Sequence, residues 1–118
     1  MPTLKRFTPH ELGPKDWGTE LLVAHTPQYT GKVLSMRAGA SGPLQYHEHK
    51  DETFYLVSGT ASVDFDAGNG LITRRMKAGE SYHVPPGAVH RVTAITECTF
   101  FEASTPAFED RVNVEHLY

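Results

Sequence analysis

The chain has 118 residues, 39% of them hydrophobic and 21% charged, with a formal net charge of −3. That length fits one domain and leaves no room for a second of useful size. The 11 Lys plus Arg residues, set against 14 Asp plus Glu, provide no broad positive face for a phosphate backbone, so nucleic acid is not an expected partner. The densest basic cluster, Arg74, Arg75 and Lys77, follows Asp64 and Asp66 and reads as a solvated strand face. Cys98 is the single cysteine, so no internal disulfide can form, which points to a reducing compartment. No apolar run approaches the roughly 20 residues that span a bilayer, and the start, Met1-Pro2-Thr3-Leu4-Lys5-Arg6, does not open a secretory signal. A cytoplasmic protein with no membrane partner is the expectation.

Along the chain, residues 1–18 are rich in Pro, Gly and charge and are expected to form an N-terminal extension, anchored by Phe7, Leu12 and Trp17. From 19 to 104 the apolar runs are short and punctuated by Gly or Pro. Strands are expected at Leu21–Ala24, Lys32–Arg37, Thr53–Val57, Ala61–Phe65, Leu71–Met76, Ser81–Val84, Val89–Ile95 and Cys98–Ala103. Gly39-Ala40-Ser41-Gly42-Pro43, Asp66-Ala67-Gly68-Asn69-Gly70 and Pro85-Pro86-Gly87 read as loops and turns. No stretch sustains a helical period, so an all-β sandwich or barrel is expected over 19–104. Residues 105–118 are left as a tail that covers the barrel, with a short helical turn around Phe108–Asn113 or an irregular path.

Four of the seven histidines fall between positions 47 and 90. His47 and His49 are two residues apart, and a strand through both would aim both rings at one face. Glu52 follows after a short bend, and His90 lies beyond the rigid Pro85-Pro86-Gly87 corner. A barrel interior can bring these pieces together. Three imidazoles and one carboxylate suit a divalent transition metal (Mn, Fe, Co, Ni, Zn or Cu), whereas Ca or Mg prefers oxygen ligands alone. His83 is expected to point outward if Tyr82 and Val84 face the core, and His10, His25 and His116 lie in peripheral segments.

Gln45-Tyr46-His47-Glu48-His49-Lys50-Asp51-Glu52, closed by Gly59, resembles the first motif of the cupin superfamily. Gly79, Pro85, Gly87 and His90 resemble the second. The gap between His49 and Glu52 is shorter than in the common pattern, and Ala94 stands where the second motif often has Asn. That short gap, with Asp16–Glu20, Val57–Ala61 and Ser81–Arg91, is similar to the cupin domain of mannose-6-phosphate isomerase-like proteins. The resemblance implies a jelly-roll (double-stranded β-helix) barrel with metal ligands His47, His49, Glu52 and His90, and small cupins of this kind are commonly homodimers. It also implies a small-molecule substrate, a sugar or sugar phosphate. Isomerisation would need a base, for which Glu102 and, less directly, His83 are candidates; an outward strand carboxylate is the other reading of Glu102. Lys32, Arg37, Lys50 and Arg91 can supply charge for a phosphate. An iron-dependent dioxygenase and a non-enzymatic metal-dependent binder remain open, because fold says less about reaction than about metal.

Overall fold

The computed structural model describes residues 1–107 and 110–118. Among them the chain forms eleven strands: β1 (His10–Lys15), β2 (Gly18–His25), β3 (Thr30–Met36), β4 (Gln45–His47), β5 (Glu52–Ser58), β6 (Thr60–Asp66), β7 (Leu71–Lys77), β8 (Ser81–Val84), β9 (His90–Ala94), β10 (Cys98–Ser104) and β11 (Arg111–Asn113). A single 3₁₀ turn, Glu115–Leu117, follows. The strands make two antiparallel sheets, ordered β1-β2-β3-β10-β5-β8 and β11-β4-β9-β6-β7. Chain neighbours repeatedly fall on opposite sheets, which gives the jelly-roll expected from the resemblance. Among the described residues no helix is long and apolar enough to cross a membrane.

Period-two alternation decides which side chains enter the space between the sheets. In the larger sheet one row of register partners runs Leu22, Lys32, Glu102 and Phe54, all buried. The adjacent row, Leu21, Val33, Phe101 and Tyr55, faces outward, and Phe101 and Tyr55 are exposed. Glu102 is thus an inward carboxylate. The apolar core is Met36, Phe54, Leu56, Val63, Met76, Val84 and Phe100, with Trp17, Leu34 and Tyr82 packed on it. Phe54 lies edge-on to Phe100, with ring centroids 5.9 Å apart. Each such buried side chain stabilises the fold by about 1.5–3 kcal/mol. Polar groups share this interior: Met36, Phe54 and Phe100 of the core line the same cavity as Lys32 and Glu102.

The eight strands expected from composition form with ends shifted by a few residues. Three others, β1, β4 and β11, have no such signature. Gly13 and Pro14 interrupt β1, and its register with β2 shifts between Glu11 and Pro14. A proline is tolerated there because β1 is an edge strand. Strands β4 and β11 are three residues each and pair with one another, Arg111 opposite His47 and Asn113 opposite Gln45. The helical turn considered for the tail does not form over 111–113, where long-range pairing to β4 holds the backbone extended; Phe108 and Glu109 lie outside the described residues.

Strands β5 and β6 are joined through Gly59 alone, at φ 98°. A Cβ there would sit 2.3 Å from the Glu97 carbonyl oxygen and 2.9 Å from the Cys98 sulfur. Gly59→Ala is expected to cost about 2 kcal/mol or more, through left-handed strain and this overlap. A urea denaturation midpoint equal to that of the wild type would contradict it.

Candidate metal centre

His47 is the last residue of β4, Glu52 the first of β5 and His90 the first of β9. The two sheets bring these three strand ends together, and one ligand atom from each lies within 4.8 Å of the others. All three residues are buried. Glu52 Oε1 lies 3.4 Å from His90 Nε2 and 3.8 Å from His47 Nε2. These spacings suit donors arranged around one shared cation.

The far sides of both rings are tied down. His90 Nδ1 lies 3.0 Å from the Ala88 carbonyl oxygen, an atom that can only accept, so Nδ1 carries the proton. His47 Nδ1 lies 3.1 Å from Asp110 Oδ1 and donates to that carboxylate in the same way. Each ring then turns a bare Nε2 lone pair toward Glu52, the arrangement that metal-binding histidines use. Asp110 does more than orient a ring. Its Oδ2 accepts the backbone N–H groups of His49 and Lys50, both at 2.7 Å. Burial pushes the Asp110 carboxyl up, but these two bonds and the His47 ring outweigh it and hold it below its ordinary value.

Charge is as constrained as geometry. Burial pushes His47 below its ordinary pKa, against the pull of Glu52 and Asp110, which favours the neutral ring that a metal needs. Burial lowers His90 too, but the Glu52 carboxylate and the Ala88 carbonyl outweigh it and raise the ring. Glu52 is held far below the carboxylate range, because His90 and Lys50 overcome the cost of its burial. The Glu52 carboxylate and the two Nε2 atoms thus face the place that a metal ion would take.

Lys50, only 7% exposed, completes the polar cluster. Its Nζ lies 3.0 Å from Glu52 Oε2 and 2.9 Å from Glu102 Oε2. These are ion-pair distances without hydrogen-bond alignment, and both Oε2 atoms remain buried with no aligned donor. Burial, followed by the charge of Glu52, pushes Glu102 up to about 7 while Lys50 pulls the other way. His47, Glu52, His90, Lys50 and Glu102 all line one cavity of about 340 Å³, shared with Arg111 at its edge.

The structure brings together three of the four expected ligands and leaves His49 out. Strand β4 ends at His47, so the alternation that would aim both rings inward stops before His49, which lies exposed in a bend. The short gap to Glu52 has the same consequence. With β5 starting at Glu52, the intervening residues turn tightly over Asp110, and it is Lys50 that faces inward. His83 also stands apart. It is flanked by inward Tyr82 and Val84, its side chain is 60% exposed, and it pairs with Asp51 at 2.6 Å on the outer surface. Of the two expected bases, only Glu102 lines the cavity. Asp110 is the participant that sequence reasoning missed, and Lys50, expected as charge for a phosphate, is instead paired with Glu52 and Glu102. Asp110 lies 63 residues from His47, and no local pattern announces such a pairing.

Two imidazole nitrogens and one carboxylate oxygen, with Nε2 lone pairs facing inward, form a facial triad positioned to chelate a divalent transition metal. His47→Ala and His90→Ala are expected to lose nearly all bound metal, measured by elemental analysis of protein dialysed against Mn(II) or Zn(II). His49→Ala is expected to retain it. Full occupancy in the first two variants, or loss in the third, would contradict the triad.

The model of the cupin domain family matches residues 32–103, more than half of the chain. The alginate biosynthesis protein AlgA of Pseudomonas putida is 33% identical over 78 residues, which are 66% of this chain and 15% of AlgA. Mannose-1-phosphate guanylyltransferase of Escherichia coli K12 is 29% identical over 76 residues, 64% of this chain and 15% of that enzyme. The chain thus matches a small part of the length of these relatives. Among solved structures, KdgF from Halomonas sp. superposes with a TM-score of 0.74 at 22% identity, covering 85% of this chain and 88% of KdgF. The match over β3 to β10, the jelly-roll and the converging His47, Glu52 and His90 agree: the chain belongs to the cupin domain family.

Proposed function

We propose that the protein is a metal-dependent isomerase of a small sugar or sugar phosphate. The observation that carries this reading is Glu102, a buried carboxyl with a pKa raised to about 7, lining the same cavity as the ligand triad. His47, Glu52 and His90 would hold a divalent ion, which would supply Lewis acidity toward a carbonyl oxygen and the neighbouring hydroxyl. Glu102 then takes the proton from the carbon beside the carbonyl and returns it to the adjacent carbon. A base tuned close to neutrality both accepts and releases that proton readily. A cavity of about 340 Å³ has room for a substrate of few carbons, and both carboxylates are buried.

The cavity edge favours an anionic substrate. Lys32 pairs with Glu20 at 3.1 Å and Arg91 with Asp64 at 2.9 Å, so their charge is already committed. Arg37 points to the Asp16 carbonyl. Lys15 and Arg111 line the cavity with no ion pair among the described residues. Arg111 stands directly across from His47 in the β11–β4 register, within one side-chain length of the triad. A phosphate seated on Arg111 and Lys15 places the rest of the molecule over the metal ligands. The relatives, an alginate biosynthesis protein and a mannose-1-phosphate guanylyltransferase, support such a substrate.

One observation favours a second reading. With His49 excluded, two histidines and one carboxylate match the ligand set of non-haem iron oxygenases. Oxygen uptake on mixing the Fe(II)-loaded protein with a catechol or thiol would select it, and saturable sugar binding without turnover would select a metal-dependent binder.

As an isomerase, the protein should exchange aldose and ketose phosphates without oxygen. Glu102→Gln should lower kcat about 10²–10⁴-fold and remove the acid limb of the rate profile, which should lie at or below about pH 7 because the base works only after losing its proton. Arg111→Gln should raise KM for the phosphorylated sugar and leave metal content unchanged. An unaltered pH profile in Glu102→Gln would reject the assigned base. The outward apolar row of Leu21, Val33, Phe101 and Tyr55 is the face we assign to a homodimer. Sedimentation velocity should return a dimer that Phe101→Glu converts to monomer, and a wild-type monomer would reject the assignment.

A further inference from the structure

We propose that Lys50 is a positioning residue that holds Glu52 to a single metal-facing oxygen and so keeps substrate positions on the ion open. A free carboxylate beside a divalent ion binds through one oxygen or two. Here the two oxygens of Glu52 have different neighbours. Oε1 faces His47 Nε2 and His90 Nε2 at 3.8 and 3.4 Å. Oε2 faces the Lys50 ammonium at 3.0 Å. That ammonium cannot easily withdraw, because Glu102 holds it from the other side at 2.9 Å and it is buried.

The backbone reinforces the arrangement. The Lys50 N–H is fixed to Asp110 Oδ2 at 2.7 Å, and the same carboxylate orients His47 through Oδ1. One aspartate therefore sets both a metal ligand and the cation that restricts another ligand. A metal held by two imidazoles and a one-oxygen carboxylate keeps the positions that a carbonyl and its neighbouring hydroxyl, or a pair of waters, require. Chelation by both Glu52 oxygens would close one of them. This role concerns the coordination sphere and holds whichever reaction the cavity supports.

The test counts exchangeable waters on bound Mn(II) by water-proton relaxation. The informative variant is the double change Lys50→Met with Glu102→Gln, which removes one charge of each sign and leaves the net charge of the site as it was. It is expected to show about one exchangeable water fewer than the wild type, as Glu52 takes a second coordination position. Glu102→Gln alone retains Lys50 on Glu52 and is expected to keep the wild-type count. Equal counts in the wild type and the double variant, or an equal drop in Glu102→Gln alone, would overturn the proposal. A crystal structure of the Mn(II)-loaded wild type decides the matter whether or not the variants fold. Glu52 bound through Oε1 with Lys50 on Oε2 supports it, and a two-oxygen Glu52 with Lys50 displaced overturns it.

Discussion

A carboxylate buried as deeply as Glu52 has to be compensated, and the polar cluster of the barrel is organised around that requirement. An uncompensated charge in a protein interior costs several kcal/mol. Glu52 is 5% exposed and has a cationic or cation-binding group on each oxygen, histidine nitrogens on Oε1 and Lys50 on Oε2. Strand β5 cannot turn this side chain outward, because the same alternation sends Phe54 and Leu56 into the core. The apolar packing of Phe54 and Leu56 therefore fixes the direction of the carboxylate. Function and stability share a single register, and a slip of one residue would lose both.

The compensation reaches beyond the immediate contacts. Lys50 enters the interior only because the bend after β4 is closed by Asp110, which accepts two successive backbone N–H groups and also holds His47. Strand β11 keeps Asp110 in place by pairing Arg111 with His47 and Asn113 with Gln45. The tail is thus part of the metal centre's frame, although none of its described residues belongs to the triad. The β11–β4 pairing has a further effect: it sets Arg111 beside the triad, at the edge where a charged substrate group would enter.

This division of labour explains what the sequence made legible. Strands β5 to β10 carry strong β-formers between Gly and Pro turns, and each was identifiable because its signal is local. His47, Glu52 and His90 were identifiable through residue type and through the spacing of the motif pieces. His49 misled because spacing was converted into direction on the assumption of a continuous strand. The strand stops at His47, and a two-residue rule has no force in a bend. Glu102 and Lys50 were ambiguous for the opposite reason. Which way a strand carboxylate points depends on register with three other strands, and a buried lysine in contact with two carboxylates exists only in the folded arrangement. Strands β1 and β11 gave no signal because edge pairing supplies their order, and their own side chains contribute little to it.

The charge balance also bears on the chemistry. Glu52 and Glu102 against Lys50 leave less than one negative charge, since Glu102 shares its proton near neutrality. A divalent ion on the triad would turn that balance positive and lower the pKa of Glu102 relative to the metal-free protein. The same side chain that is partly protonated in the metal-free protein then becomes a carboxylate able to take a proton from substrate. Lys50 acts in the same direction: it is already in contact with Glu102 and stabilises the carboxylate that forms. A buried carboxyl that changes its protonation with the charge beside it suits proton transfer better than permanent charge compensation, and a purely structural metal site has no need of it.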